Sequence, residues 1–347
     1  MTFRIPALAA TALLLAPALA QAACPAPANG GEDRATWSAR SDNDLYGREN
    51  QDQGYTNGFA LHYVSPNTDR FDADCLPAPV RIAGSVLAWL VPEGEQNNLV
   101  LGFDHGTYTP TDGTRADVIA DDRPYAGVAT LGVALNARND NRLGTTQLRL
   151  GMVGPSAQAK FGQDSLHQWF GRPRFQGWDN QLRDEVVVQL AHERAWRRDF
   201  AVTEGGWRWD AIGHAGAAAG NLASYANAGA ELRFGKHLPD DFGSNPLRLT
   251  GDSAAPGARD EDVDAFRWHG FIAIDGRWVA KDITLDGNTW KDSHSIERKD
   301  GVADLVLGVV LTHGPWRFTA THVRRTREFE GQPDLPTFGT LTLARAF

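Results

Sequence analysis

The sequence predicts an all-β protein, a twelve-stranded antiparallel transmembrane β-barrel with a short rim helix near residues 155–171. Three observations predict it. Period-two alternation recurs along most of the chain, an apolar N-terminal stretch has the form of an export signal, and the closing segment TLTLARAF alternates and ends on phenylalanine. Successive strand side chains point to opposite faces, so alternation is the mark of a strand with two different surroundings.

In residues 55–63 the odd positions are Tyr55, Asn57, Phe59, Leu61 and Tyr63, and the even ones Thr56, Gly58, Ala60 and His62. Residues 125–135, 147–152 and 185–193 repeat the pattern, for example Val186, Val188 and Leu190 against Glu185, Gln189 and Glu193. A soluble sandwich would turn the apolar face to its core, whereas a barrel turns it to lipid. Segments of roughly ten residues and the export signal favour the barrel. So do aromatic residues at segment ends: Tyr55, Tyr63, Tyr108, Tyr125, Trp207 and Trp316. Strands are expected near 34–45, 55–65, 97–108, 125–138, 143–153, 185–197, 206–217, 222–236, 265–277, 302–313, 315–327 and 337–347. The even number suits a closed single-chain barrel. Glu185, Gln189, Glu193, Arg149, Arg208, Asp210 and Asp304 would face its lumen and plug it.

Two segments break the rhythm. Residues 77–90 read as a short amphipathic helix, and residues 155–171 open on proline and end at glycine, as helices often do. Within the second, Gln163 and His167 are four apart and share a face. The region 240–264 reads as a long loop.

Arg4 followed by the apolar run 5–20 and Gln21-Ala22-Ala23 reads as a signal peptide, residues 1–23, leaving 24–347 as the barrel domain. Of the two cysteines, Cys24 and Cys75, two readings stand. They form a disulfide in an oxidising compartment, or Cys24 is lipidated; the missing leucine upstream favours the disulfide. A net charge of −9 argues against nucleic acid, and an acidic protein approaching anionic lipid calls for a bridging divalent cation.

If the chain starts and ends in the periplasm, the connections after strands one, three and five open on the same, outer rim. They hold Asn43, Asp44 and Thr56, then DDRPYAG, then the helix with His167. A histidine can take a proton from water if another group stabilises the oxyanion, and no G-x-S-x-G motif supplies a serine nucleophile. Asn43 and Asp44 are oxygen ligands of the type that hold calcium, but an acidic solvated loop has the same composition. Asp121, Asp122 and Arg123 read as a loop ion network, and Tyr125 as an interfacial anchor.

In order along the chain, SDNDLYGRENQDQGYTNG, DDRPYAGVATLG, GMVGPSAQAKFGQDSLHQWFGRPRFQGWDNQL and ITLDGNTWKDSHSIERKDGVADLVLGVVL resemble the lipid A 3′-O-deacylases, the LpxR family. The resemblance runs from about residue 35 to the C-terminus. It implies a twelve-stranded barrel in the Gram-negative outer membrane, its active site facing the exterior. It also implies calcium-dependent hydrolysis of the 3′-linked acyloxyacyl ester of lipid A in the outer leaflet. His167 would then be the general base, Asn43 and Asp44 would lie at Ca2+, and Thr56 would orient base or substrate. Gln163 would bind substrate or position water. A lysine of the family has no counterpart in LGFDHGTYTP. A monomer is expected. The same chemistry would suit a phospholipase-like hydrolase, and a barrel without catalysis, a channel or scaffold, is the alternative of another class.

Overall fold

Alternating side chains need a wall with two different sides, and the chain builds one that closes on itself. The computed structural model describes residues 34–47, 53–76, 78–87, 94–200, 203, 205–236, 238–248 and 266–347. Its strands are β1 (Thr36–Asn43), β2 (Gly54–Val64), β3 (Gln96–Thr109), β4 (Ala126–Asn139), β5 (Arg142–Val153) and β6 (Glu185–Asp199). They continue as β7 (Trp207–Gly220), β8 (Ala223–Lys236), β9 (Arg267–Asp282), β10 (Gly301–His313), β11 (Trp316–Arg325) and β12 (Thr337–Ala346). Each strand pairs with its sequence neighbours, and β1 pairs antiparallel with β12 to close the barrel. Closure leaves no edge strand, as a wall in lipid requires. All twelve expected strands are present; β9 extends to Asp282, beyond the expected end at 277. The expected signal peptide, residues 1–23, lies outside the described residues, as do Cys24, residues 48–52 and most of 240–264. Cys75 is disulfide-bonded.

The outer face is apolar and girdled by tryptophan. On β9, Trp278 and Trp268 bracket Ile274 and Ile272, all exposed, and Leu305 and Leu307 of β10 continue the band. The lumen is ionic and filled. Asp304 accepts from Arg277 at 2.6 Å and from Arg325 at 2.7 Å, and Arg325 and Arg123 both pair with Glu328. Toward the opposite rim, Arg233 and Arg197 share Asp210, and Arg248 holds Glu193 at 2.8 Å. Residues 238–248 belong to the connection after β8 but bend into this end, where Asp241 bonds Arg233 and Arg317. A cavity of about 280 Å3 remains between the two networks. Of the residues expected in the lumen, only Arg208, near the start of β7, is exposed at the rim.

Among the described residues three α-helices complete the fold: α1 (Ala78–Leu87), α2 (Ala159–Phe170) and the single turn α3 (Ile283–Asp286). α3 caps the lumen, its Ile283 packed with Val128, Val153 and Val187. α1 and α2 both lie against β3 and β4, at opposite rims. The expected rim helix is divided: a 3-10 turn at Pro155–Ala157 precedes α2, and Gln158 between them is left-handed at φ 61°.

The aromatic residues at segment ends need correcting. Tyr55 and Tyr108 line the lumen cavity, and Tyr63 is buried against Trp37. Tyr125 is no interfacial anchor: it is buried, with its ring 4.9 Å from that of Trp178. Of the expected residues Trp316 does stand exposed in the girdle, together with Trp196, Trp209, Trp268 and Trp278. Period-two spacing identified segment ends but could not tell a ring in lipid from one under a loop.

Candidate active site

The site begins with an irregularity in β2. The register with β3 shifts between Tyr55 and Asn57, so Thr56 is an extra residue in the ladder. A bulge of this kind re-aims the side chains on either side of it. Tyr55 turns into the lumen, where its hydroxyl donates to Asp42 Oδ2 at 2.7 Å. Asn57 keeps the outward parity of exposed Phe59 yet is buried. What buries it is α2.

α2 can lie close because β4 has a glycine beneath it. A Cβ on Gly127 would stand 2.5 Å from the Cβ of Ala159 and 3.3 Å from that of Ala157. His105, on the outward face of β3, donates from Nε2 to the Ala157 carbonyl at 2.9 Å and holds the turn before the helix. At the other end Gly171, at φ +66°, ends the helix in the left-handed conformation and turns the chain back. That reversal brings the Pro173 carbonyl beneath His167.

The inner face of α2 therefore presents Gln163 and His167, 1% and 6% exposed, to the barrel wall. Asn57 Nδ2 donates to Gln163 Oε1, and Gln163 Nε2 donates to His167 Nε2 at 2.8 Å. His167 Nδ1 lies 2.5 Å from the Pro173 carbonyl oxygen. A carbonyl can only accept, so Nδ1 carries the proton and Nε2 carries the lone pair. The Phe175 ring, perpendicular to the imidazole with the two centroids 5.2 Å apart, fixes the imidazole plane. The result is an oriented neutral imidazole whose basic nitrogen is turned toward the amide.

The sequence-predicted residues are distributed around this pair. Gln163 and His167 are in direct contact. Thr56 Oγ1 is 2.5 Å from Thr109 Oγ1, which pins the bulge beside Asn57. Asn43 is the register partner of Asn57, so the two share a face of the wall. Asn43 Oδ1 caps the following 3-10 turn by accepting from Leu45 N at 2.8 Å. Asp44, buried, accepts from Gln53 N at 2.9 Å through Oδ2. Asn57 and the Pro173 carbonyl were not identified from sequence. The available signal was an amide on the face that also carries Phe59 and Leu61.

Asn43 and Asp44 offer an amide oxygen and a buried carboxylate. Both are hard oxygen donors, so they suit calcium in kind. Among the described residues no three His, Cys, Asp or Glu side chains stand close enough together to hold an ion, so amide, hydroxyl or backbone oxygens would complete the shell. On β3 the outward positions beside the site are His105, Thr107 and Thr109, and none is a lysine.

The family model for the outer-membrane protein LpxR matches residues 8–347. The chain belongs to the LpxR family of outer-membrane proteins. The solved LpxR from Salmonella typhimurium has the same fold, with a TM-score of 0.71 at 16% identity, over 90% of this chain and 100% of that one. The β domain of the Bordetella autotransporter BrkA is less alike, at 12% identity and a TM-score of 0.44 over 90% of this chain and 99% of that one. An outer-membrane channel from Pseudomonas putida F1 has 11% identity and a TM-score of 0.40 over 91% and 96%. No curated protein matches by sequence. Membership of the LpxR family locates the barrel in the outer membrane, and its apolar belt and tryptophan girdle are what that location requires.

Proposed function

We propose that this protein is an outer-membrane esterase that removes the 3′-linked acyloxyacyl group of lipid A, with His167 as general base on a water. The observation that carries the reading is the imidazole held as its Nδ1–H tautomer on the outer surface of a barrel of the LpxR family. A lumen site would suit a diffusing solute. A site on the outer surface suits a substrate that is itself part of the membrane.

Water gives its proton to His167 Nε2 as its oxygen bonds the ester carbonyl carbon, and the carbonyl π electrons move to the oxygen. Collapse of that oxyanion breaks the ester C–O bond, and the departing sugar alkoxide recovers the proton from the imidazolium. Products are the acyloxyacyl carboxylic acid and the 3′-hydroxyl. The Pro173 carbonyl stabilises the imidazolium through Nδ1–H. Gln163, which engages Nε2 in the resting state, gives way to the water and then orients it, while Asn57 holds the amide from the wall. Thr56 acts through the bulge it pins. Asn43 and Asp44 would hold calcium, whose positive charge, when bound, polarises the ester carbonyl.

With β1 starting and β12 ending at one rim, α2 belongs to the other. Termini in the periplasm would put that second rim, and the site, in the outer leaflet as a monomeric unit. The test is mass spectrometry of lipid A from cells with and without the protein. Loss of one acyloxyacyl unit is expected; unchanged lipid A with altered phospholipids would overturn the substrate, and no lipid change at all the activity.

A further inference from the structure

The apolar belt has very different heights around the barrel. On β9 it runs from Trp268 to Trp278, about 34 Å along a strand at about 3.4 Å per residue. Strand tilt reduces that to roughly the 25 Å expected of a lipid-facing band. On β4 the outward positions are Gly127, Ala129, Leu131, Val133, Leu135 and Ala137, and only the stretch 129–133 is open, with Leu131 61% exposed. Gly127 is covered by α2, and Leu135 by the segment leading to α1, including Phe71 and Leu76. The open stretch is about 14 Å along the strand. A bilayer does not thin to that extent without cost, so hydrocarbon must reach the outer faces of the covering helices.

α2 is built for that position and against the ordinary rule. A helix on a soluble surface buries its apolar side, whereas α2 buries Gln163 and His167 and exposes Phe161, Trp169 and Phe170, Trp169 by 81%. The exposed face is continuous with the belt: two residues along the outward face from Gly127, which α2 covers, is Ala129, whose neighbours in register are Met152 and then exposed Val186. We infer that the aromatic face of α2 is seated in the leaflet, at the boundary between acyl chains and headgroups, so that lipid itself forms the outer wall of the helix that carries His167. The occupant is the leaflet, recognised by aromatic side chains that favour this boundary. The inference rests on the barrel and its family, so its failure would leave the hydrolase reading standing.

The test uses the full barrel in phosphatidylcholine vesicles and compares wild type with Trp169→Leu, the fluorescence difference isolating Trp169. Lipids brominated near the carbonyl end of the acyl chains should quench most of that difference, and aqueous iodide little of it. A second probe, Phe161→Trp in the Trp169→Leu background, should add a component with the same response. Quenching of both probes by iodide and not by brominated lipid would overturn the inference. Heat-dependent gel mobility verifies that each variant is a folded barrel.

Discussion

Gln163 and His167 stand one helical turn apart and meet through their Nε2 atoms at 2.8 Å. The contact has a direction because both ends are fixed: Asn57 occupies the amide oxygen and Pro173 the far ring nitrogen. Whatever reaches the basic nitrogen of His167 must therefore displace or join the Gln163 amide.

Replacing His167 by alanine should lower hydrolysis roughly 10²–10⁴-fold, the contribution of a positioned base, while the barrel still forms because the side chain lies outside the strand ladder. In wild type the rate should rise with pH as imidazolium gives up its proton, since only the neutral ring can accept one. Lipid A turnover and heat-dependent gel mobility are measured on the same samples. A folded alanine variant at near wild-type rate excludes His167 as the base.

Gln163→Glu places a carboxylate against the imidazole. The opposite charge favours imidazolium, so the rising limb of the rate should move to higher pH. Gln163→Leu cannot move it that way; it instead leaves Asn57 Nδ2 facing a hydrocarbon, at about 1–3 kcal/mol of stability. Rate–pH profiles of both variants decide, and an unmoved limb in Gln163→Glu would separate this contact from the chemistry.

The strands were legible because each face of a barrel meets one medium along its whole length. Residues 185–193 set Val186, Val188 and Leu190 against Glu185, Gln189 and Glu193, and burial along β6 alternates residue by residue even where Val187 puts an apolar side chain on the lumen face. The site was legible only in part. Gln163 and His167 share a face by helical geometry, which spacing reveals. That Asn57 joins them depends on the Thr56 bulge and on a helix packed outside the wall, and neither leaves a periodic trace. Tyr55 was grouped with Asn57 by parity, and the bulge separates them. Likewise, Asp121–Asp122–Arg123 suggested a local ion network. Arg123 instead pairs across the barrel with Glu328, distant in sequence, while Asp122 accepts from Thr111 N at 2.7 Å.

If Asn43 and Asp44 hold calcium, a chelator should abolish turnover and added calcium should restore it. Asp44→Ala removes a ligand oxygen and a charge, so it should lose both activity and measurable calcium binding by titration calorimetry. Magnesium should substitute poorly, because it demands a tighter octahedral shell than an amide at the end of β1 and the carboxylate of the next residue readily provide. Full activity in excess chelator refutes the metal's role.

Glu328 lies between β11 and β12, outside the strands. Burial pushes its carboxyl up, but Arg325, Arg123 and Arg277 outweigh that and hold it below the ordinary range. A folded value below the unfolded one, about 4.3, gives stability that is complete above the unfolded pKa and is lost as pH falls through the folded one. Glu328→Gln should cost about 3 kcal/mol at neutral pH by leaving buried guanidinium groups uncompensated. Its stability should also fall less than that of wild type on acidification below about pH 5. Urea unfolding in detergent at several pH values measures both.

Gly127 tests whether the wall positions the base. Its backbone is ordinary strand, so a larger residue fits the ladder, but a Cβ there would stand 2.5 Å from the Cβ of Ala159. Gly127→Ala must lift the start of α2 from β4, and Gly127→Leu must lift it further. A displacement near 1 Å in a positioned group can cost about 10²-fold in rate. Activity should therefore fall in the order glycine, alanine, leucine with folding intact. Gly144 on β5 is the matched control: it also faces outward, and its added Cβ would meet only the Ala137 carbonyl at 3.9 Å. Gly144→Ala should leave the rate unchanged, and if Gly127→Ala proves equally silent, the close packing of α2 on β4 does not set the position of His167.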